Sequence, residues 1–115
     1  MSRPVFDDDT LPMLESLLGE DFPDVLETFL DDAPKRLAAL EAALAEGDLP
    51  GMERAAHTLK GAASNLGAVE LTECCAELVR DCRAGSADQA EAQVAAIRAA
   101  LARAEADLRV RLEKA

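Results

Sequence analysis

The chain has 115 residues, enough for one domain with a single core and too few for a multidomain enzyme. Its 23 acidic residues outnumber its 12 basic residues, so nucleic acid and anionic membrane surfaces would be repelled and neither is expected as a partner. No stretch approaches the roughly 18 consecutive apolar residues of a membrane span, and the opening MSRPVFDDDT lacks the apolar core of a secretory signal. We therefore expect a cytoplasmic protein.

The composition predicts an all-α fold, because alanine and leucine dominate, Trp and Tyr are absent and β-branched residues are sparse. A first, short helix is predicted to begin near the acidic run Asp7–Asp9, whose carboxylates suit the positive end of a helix, and to end at Gly19. The acidic run is interpreted as a solvated cap. The apolar side of this helix consists of Leu11, Leu14 and Leu18.

The second predicted helix begins near Asp21, carries Pro23 in its first turn and ends before Gly47. Pro34 would ordinarily break it. The apolar residues nevertheless keep alternating steps of four and three across the proline, which predicts a kinked but continuous helix. These residues are Leu26, Leu30, Ala33, Leu37, Leu40 and Leu44.

The third predicted helix covers about residues 49–66. Asp48 is placed to cap its start, Pro50 is tolerated in its first turn, and Gly67 is placed to end it in a left-handed turn. Its apolar stripe consists of Met52, Ala56, Leu59, Ala63 and Leu66.

The fourth predicted helix runs from about Val69 to Ala84, before Gly85, and the fifth opens with a capping-box pattern formed by Ser86 and Gln89. Four long amphipathic helices with short connections predict an antiparallel up-down four-helix bundle, with the short first helix covering one end. We expect one helical domain over residues 1–115. The predicted inward residues are Leu71, Cys75, Leu78 and Cys82 of the fourth helix, and Val94, Ile97, Leu101, Leu108 and Leu112 of the fifth.

Three cysteines fall in the fourth helix: Cys74, Cys75 and Cys82. An odd number within one helical pattern favours buried, reduced thiols over a disulfide framework. A zinc site of these thiolates with His57 is the alternative, but the chain has no C-x-x-C spacing and Cys82 follows the pair by two turns. No metal is expected.

The chain's only histidine, His57, lies in the third helix, in the nearly neutral half of the chain. At about 100° per residue, Lys60 lies near −60°, Gly61 near +40° and Ser64 near −20° relative to His57, opposite the apolar stripe. His57 is therefore expected to face solvent. A mid-helix glycine costs about 1 kcal/mol against alanine, so Gly61 indicates that the flank of the imidazole must stay bare. A bare imidazole beside a cation suits accepting a phosphoryl group from a close-docking donor.

The residues HTLKGAASNLG, from His57 to Gly67, resemble the H-x-x-K-G-x-x-x-x-x-G signature of histidine-containing phosphotransfer (HPt) domains. The resemblance covers nearly the whole chain: ETFLDDAPKRLAALEAAL is similar to that family's second helix, GDLPGMERAAHTLKGAASNLGA to its third and LTECCAELVRDCRAG to its fourth. It implies a helical bundle in which His57 carries phosphate, Lys60 neutralises the phosphoryl oxygens and Gly61 gives the partner access. Many family members have Glu or Gln where this chain has Val79, so Glu77 or Arg80 would have to replace that polar neighbour.

By the same resemblance, His57 accepts the phosphoryl group from the aspartate of a receiver domain and passes it to a second receiver. The implied partners are response-regulator receiver domains and a hybrid sensor histidine kinase. Mg²⁺ would belong to the receiver, and the protein itself would need no cofactor. No glycine-rich phosphate loop is present, so the chain is expected to be a monomeric phosphocarrier and neither an ATP-dependent autokinase nor an enzyme.

Ser64 and Arg54 are weaker candidates for partner contacts. Ser64 shares the face of His57, and Arg54 precedes it by one turn. A polar residue such as Ser64 on an exposed helix face needs no function, and Arg54 is interpreted first as a solvated charge. The alternative function is a non-catalytic helical adaptor that docks a signalling partner through the same face.

Overall fold

A computed structural model describes residues 3–114 as an all-α fold without strands in that range. Residues 1, 2 and 115, which the predicted domain includes, lie outside it. Within the described part, no helix combines the length and apolarity needed to cross a membrane. The helices are α1 (Thr10–Leu18), followed by a 3₁₀ turn (Gly19–Asp21), α2 (Phe22–Glu46), α3 (Leu49–Leu66), α4 (Val69–Arg83) and α5 (Ala90–Lys114).

The four long helices form the predicted bundle. Helix α2 packs against α3 and α5, and α4 packs against the same two, so the four close a ring around one core. The links from α2 to α3 and from α3 to α4 are two residues each, which makes these neighbours antiparallel. Helix α1 packs against α2 and α3, as expected for a cover at one end.

The buried stripe of α3 consists of the five residues predicted for it: Met52, Ala56, Leu59, Ala63 and Leu66. Helix α2 continues through Pro34, and Ala33 and Leu40 are buried on either side of the proline. The prediction of one continuous helix is thus confirmed. Packing of the apolar stripe on both sides offsets the hydrogen bond that proline cannot donate. The core also contains residues that the stripes did not include, among them Phe22, Phe29, Cys74 and Val79.

The acidic run before α1 is a cap, and Asp7 supplies its contacts. Oδ1 of Asp7 accepts hydrogen bonds from the backbone amides of Thr10 (2.7 Å) and Asp9 (3.1 Å), and Oδ2 accepts one from Oγ1 of Thr10 (2.8 Å). These bonds, led by the one from the Thr10 amide, lower the pKa of Asp7. Asp8 and Asp9 remain exposed.

The predicted capping box of Ser86 and Gln89 is wrong. The backbone amide of Ser86 donates to the carbonyl oxygen of Asp81 (2.9 Å), and that of Gly85 donates to Cys82 (3.0 Å), so both residues terminate α4. Gly85 makes this possible with a left-handed φ of 76°. Helix α5 begins only at Ala90, after a turn in which the Ala90 amide donates to Ala87.

Candidate functional site

The imidazole of His57 lies on the exposed side of α3, opposite the buried stripe. Within residues 3–114 its side chain makes no hydrogen bond or ion pair with another residue. The sequence prediction that His57 faces solvent is confirmed, because the period of the helix turns it away from the core. Its surroundings are therefore set by the helices on either side of α3.

On one side, α2 runs alongside α3 in a register that places Arg36 level with His57. A Cβ built on Gly51 of α3 would lie 3.2 Å from the Cβ of Ala43 in α2, which fixes one opposing pair. Two turns before Ala43 on α2 lies Arg36, and two turns after Gly51 on α3 lies Thr58. Because the helices are antiparallel, these two residues line the same groove. Thr58 follows His57 directly in the chain, but His57 itself is outside the linings of the two cavities that Arg36 and Thr58 share.

On the other side, α4 contacts α3 through Glu53. Nε of Arg83 donates to Glu53 over 3.1 Å. Burial raises the pKa of Cys75 to about 12, and the positive charge of Lys60 acts in the opposite direction. Lys60 is half-buried and follows Glu53 by two helical turns, so it lies on the side of α3 that faces α4.

The contact between Glu53 and Arg83 sets the register of α4. His57 follows Glu53 by four residues and Val79 precedes Arg83 by four, so in this antiparallel pair Val79 lies level with the histidine along the helix axis. Val79 is buried and apolar. The position at which the family resemblance implies a polar neighbour is therefore occupied by a buried apolar residue.

Of the two residues suggested as replacements for that polar neighbour, Glu77 is excluded by its position. Its Oε1 accepts a hydrogen bond from Nη1 of Arg3 (3.4 Å), and it lines a cavity with Gln89 and Gln93 near the start of α5. Glu77 thus faces away from α3. Arg80 is exposed on α4.

The two glycines of the His57 segment have different surroundings. A Cβ built on Gly61 would meet no atom within 4 Å outside its own helix, so the space above this position is open. A close helix–helix contact at Gly61 is therefore excluded as the reason for a glycine here. Gly67 has a left-handed φ of 75°, and a Cβ there would lie 2.6 Å from the Cβ of Thr10.

The predicted site residues share one side of α3. His57, Gly61, Ser64 and Arg54 are all exposed, and Lys60 is half-buried. Helix α3 has its predicted bounds, Leu49–Leu66, and the carboxylate of Asp48 caps its start by accepting from the Gly51 amide (3.0 Å). Arg36, which the sequence analysis does not single out, lines the groove between α2 and α3. One signal was available, since Lys35 and Arg36 are the only basic residues of an otherwise acidic second helix.

The cysteines are free and buried, as predicted. Burial is the leading cause of a raised pKa at Cys74, Cys75 and Cys82, so these thiols stay protonated and unreactive near neutral pH. Among residues 3–114, no group of three His, Cys, Asp or Glu side chains is placed to hold a metal ion. The cysteines therefore act as small core residues.

A family model described as the Hpt domain matches residues 24–107, which include the whole of α3 and α4. The chain belongs to the Hpt domain family. The resemblance inferred from the His57 segment is thereby confirmed. No curated protein sequence gave a match to this Hpt domain.

Solved structures show the same fold. Histidine-containing phosphotransfer protein B (HptB) from Pseudomonas aeruginosa is similar to this Hpt domain with a TM-score of 0.95 and 32% identity, over 99% of each chain. A rice protein named as a histidine-containing phosphotransfer protein has a TM-score of 0.81 and 21% identity, over 95% of this chain and 80% of the rice chain. At that identity, the rice protein supports the fold alone.

Proposed function

We propose that this Hpt domain is a phosphocarrier of a two-component phosphorelay and that His57 carries the phosphoryl group. The observation that carries the proposal is the position of His57. It is the only histidine of the chain, it is exposed, and the helix position one turn beyond it, Gly61, is open space. A histidine phosphotransfer protein needs an imidazole that a second protein can approach closely, and this chain offers one such group.

The proposed reaction is an in-line displacement. A lone pair of the neutral His57 imidazole attacks the phosphorus of an aspartyl phosphate on a receiver domain, and a nitrogen–phosphorus bond forms. The bond between phosphorus and the aspartate oxygen breaks, and the carboxylate leaves with its electron pair. The reverse displacement on a second receiver returns the group to an aspartate and frees the imidazole.

The neighbours of His57 have different roles in the proposed reaction. Lys60, held on the α4 side, places an ammonium where the phosphoryl oxygens come to lie and neutralises part of their charge. Gly61 keeps the flank of the ring bare, and Ser64 and Arg54 contact the partner. Val79 offers no hydrogen bond to the imidazole, so orientation of the ring depends on the bound partner.

The remaining proposals concern the setting of the reaction. The partners are response-regulator receiver domains and a hybrid sensor histidine kinase, and the phosphocarrier acts as a cytoplasmic monomer. It needs no cofactor of its own, and Mg²⁺ is bound by the receiver. It is a carrier without autokinase activity, because the sequence contains no glycine-rich phosphate loop to bind ATP.

The test uses His57→Gln beside the unaltered protein. Each is incubated with receiver domains phosphorylated by acetyl phosphate, and phosphate stable in base but labile in acid is measured on the carrier. We expect label on the parent and none on the variant, with both melting at nearly the same temperature because His57 is exposed. An unlabelled parent that still binds receivers would favour the adaptor function instead. A large loss of stability in the variant would make His57 a structural residue.

A further inference from the structure

We propose that Val79 leaves His57 a nucleophile at both of its ring nitrogens, so that the donor decides whether Nδ1 or Nε2 takes the phosphoryl group. The inference rests on the proposed phosphotransfer function, because it concerns the atom of His57 that forms the new bond. It goes beyond that function by assigning the choice of nitrogen to the donor and not to this chain.

The chemistry of a neutral imidazole makes its two nitrogens alternatives. One nitrogen carries the proton, and the other has the lone pair that can attack phosphorus. In proteins, the nitrogen that keeps the proton is set by the hydrogen bond that its N–H donates, often to a carboxylate or a carbonyl oxygen. An acceptor for Nδ1–H would therefore reserve Nε2 for the attack. Selection of one nitrogen thus requires an acceptor beside His57.

On α4, a hydrocarbon side chain occupies the position level with the imidazole. The register follows from the hydrogen bond that Nε of Arg83 donates to Glu53 over 3.1 Å. Val79 precedes Arg83 by about one turn and so lies level with His57. Val79 is only 3% exposed, and its isopropyl group neither donates nor accepts a hydrogen bond. The side of the site that α4 forms therefore offers the ring no acceptor at this level.

On α3, the positions three residues away from His57 carry cations. These are Arg54 before the histidine and Lys60 after it. Guanidinium and ammonium groups have donors only, so neither side chain can accept the hydrogen bond of an imidazole N–H. Gly61, four residues after the histidine, has no side chain. Three of the four neighbours at helical spacing are thus unable to hold the proton on one nitrogen.

The fourth neighbour at this spacing, Glu53, is bound elsewhere. Its Oε2 accepts from Nε of Arg83, and this bond directs the carboxylate toward α4. Within residues 3–114, the ring of His57 accordingly has no hydrogen-bond partner. Both tautomers of the neutral imidazole are therefore available to a donor.

The size of the donor then decides which nitrogen reacts. Nδ1 adjoins Cβ and lies near the helix, whereas Nε2 is at the outer end of the ring, so a receiver domain docked over α3 should use Nε2 alone. The open space at Gly61 leaves both nitrogens within reach of a small donor such as phosphoramidate. In that reaction, the lone pair of the unprotonated ring nitrogen forms a bond to phosphorus, and ammonia leaves with the electron pair of the broken phosphorus–nitrogen bond. The proton on the other ring nitrogen passes to solvent.

The experiment compares the parent with Val79→Gln and Val79→Leu. The Gln side chain adds an amide oxygen that can accept from Nδ1–H, and Leu is the matched control that adds bulk without an acceptor. Each protein is labelled briefly with phosphoramidate, and ³¹P NMR measures the ratio of the two phosphohistidine isomers, which all come from the chain's only histidine. We expect both isomers in comparable amounts on the parent and on Val79→Leu. Val79→Gln should favour the Nε2 isomer by about fivefold, the effect of one net hydrogen bond.

A second measurement needs only the parent, since a polar residue at the buried position 79 can weaken folding. The ¹⁵N chemical shifts of the His57 ring at alkaline pH report its tautomers. Intermediate shifts at both nitrogens are expected from exchange between the tautomers. One protonated and one unprotonated nitrogen with well-separated shifts, or phosphoramidate labelling of the parent on Nε2 alone, would overturn the inference.

The same protein separates this inference from the proposed function. A phosphorylated receiver domain should label the parent at one nitrogen, whereas phosphoramidate labels it at two. A parent that phosphoramidate labels on both nitrogens but that no receiver labels would overturn the carrier function and would still show that the chain selects neither nitrogen. A receiver that produces the same mixture of isomers as phosphoramidate would overturn the role given to the donor.

Discussion

The backbone amide of Asp7 donates a hydrogen bond to the carbonyl oxygen of Gly67 over 2.9 Å. This bond joins the segment before α1 to the end of the helix that carries His57. A side chain at Gly67 would enter the space that Thr10 occupies, whereas one at Gly61 would enter solvent. The two glycines of one sequence signature thus have separate causes, since Gly67 is required by the fold and Gly61 leaves the flank of His57 open.

Gly67→Ala should destabilise the protein by about 1 to 3 kcal/mol. The substitution places a Cβ on a residue with a φ of 75° and brings that atom within 2.6 Å of the Thr10 Cβ. Urea unfolding monitored by circular dichroism measures the loss. If Gly67→Ala unfolds at the same urea concentration as the parent, the N-terminal segment does not approach α3 this closely in solution.

Gly61→Ala should have the opposite effect and raise stability by up to about 1 kcal/mol. Alanine is the better helix former, and the added methyl group meets nothing outside the helix. The same urea titration compares it directly with Gly67→Ala. A destabilised Gly61→Ala variant would contradict the open space found at this position.

Gly61→Gln should fold normally but slow phosphotransfer from a receiver. The long side chain obstructs the close approach that in-line transfer requires, although it disturbs no packing. Ala102→Gln, on the exposed side of α5, is the control for adding the same side chain elsewhere. Equal transfer rates for Gly61→Gln and Ala102→Gln would remove the access role assigned to Gly61.

Much of the fold was predictable because its determinants are local. The five-residue stripe of α3 and the cap at Asp48 follow from helix period and from short-range hydrogen bonds, which depend on neighbouring residues alone. The predicted capping box at Ser86 is wrong because the end of α4 and the start of α5 are close together in the sequence. The Ser86 amide donates to the carbonyl oxygen of Asp81 at the end of α4, so it is not available to a capping box at the start of α5.

The candidate site was predictable only as far as one helix. The exposure of His57 follows from its angle to the buried stripe of α3. Arg36 lies on α2, and its place level with His57 depends on the register between helices, which a single sequence does not specify. The half-burial of Lys60 is likewise a product of packing between helices.

Lys60→Ala should slow transfer to His57, or shorten the lifetime of phosphohistidine, by about tenfold without abolishing either. One ammonium contributes a charge-assisted contact to the phosphoryl oxygens, whereas the imidazole makes the bond. Lys60→Arg is the control, since it keeps the positive charge and should retain more of the rate. A Lys60→Ala variant that equals the parent in both rate and lifetime would exclude Lys60 from the reaction.

An ion pair between Glu70 and Arg103 joins α4 to α5. Nε and Nη2 of Arg103 donate to the two carboxylate oxygens of Glu70 over 2.8 and 2.9 Å, and the Glu70 side chain is only 12% exposed. The hydrogen bonds from Arg103 lower the pKa of Glu70 below its ordinary value.

Because the folded pKa of Glu70 lies below the unfolded one, the pair stabilises the fold above the unfolded pKa of about 4.3. This contribution is lost as the pH falls through the folded value. Glu70→Gln should therefore lower the free energy of unfolding at pH 7, and its deficit relative to the parent should shrink as the pH falls toward about 3. Urea titrations at several pH values measure this difference. Glu91→Gln, at an exposed position of α5, is the control and should follow the parent throughout. A Glu70→Gln deficit that stays constant from pH 7 to pH 3 would show that ionisation of Glu70 is not coupled to folding.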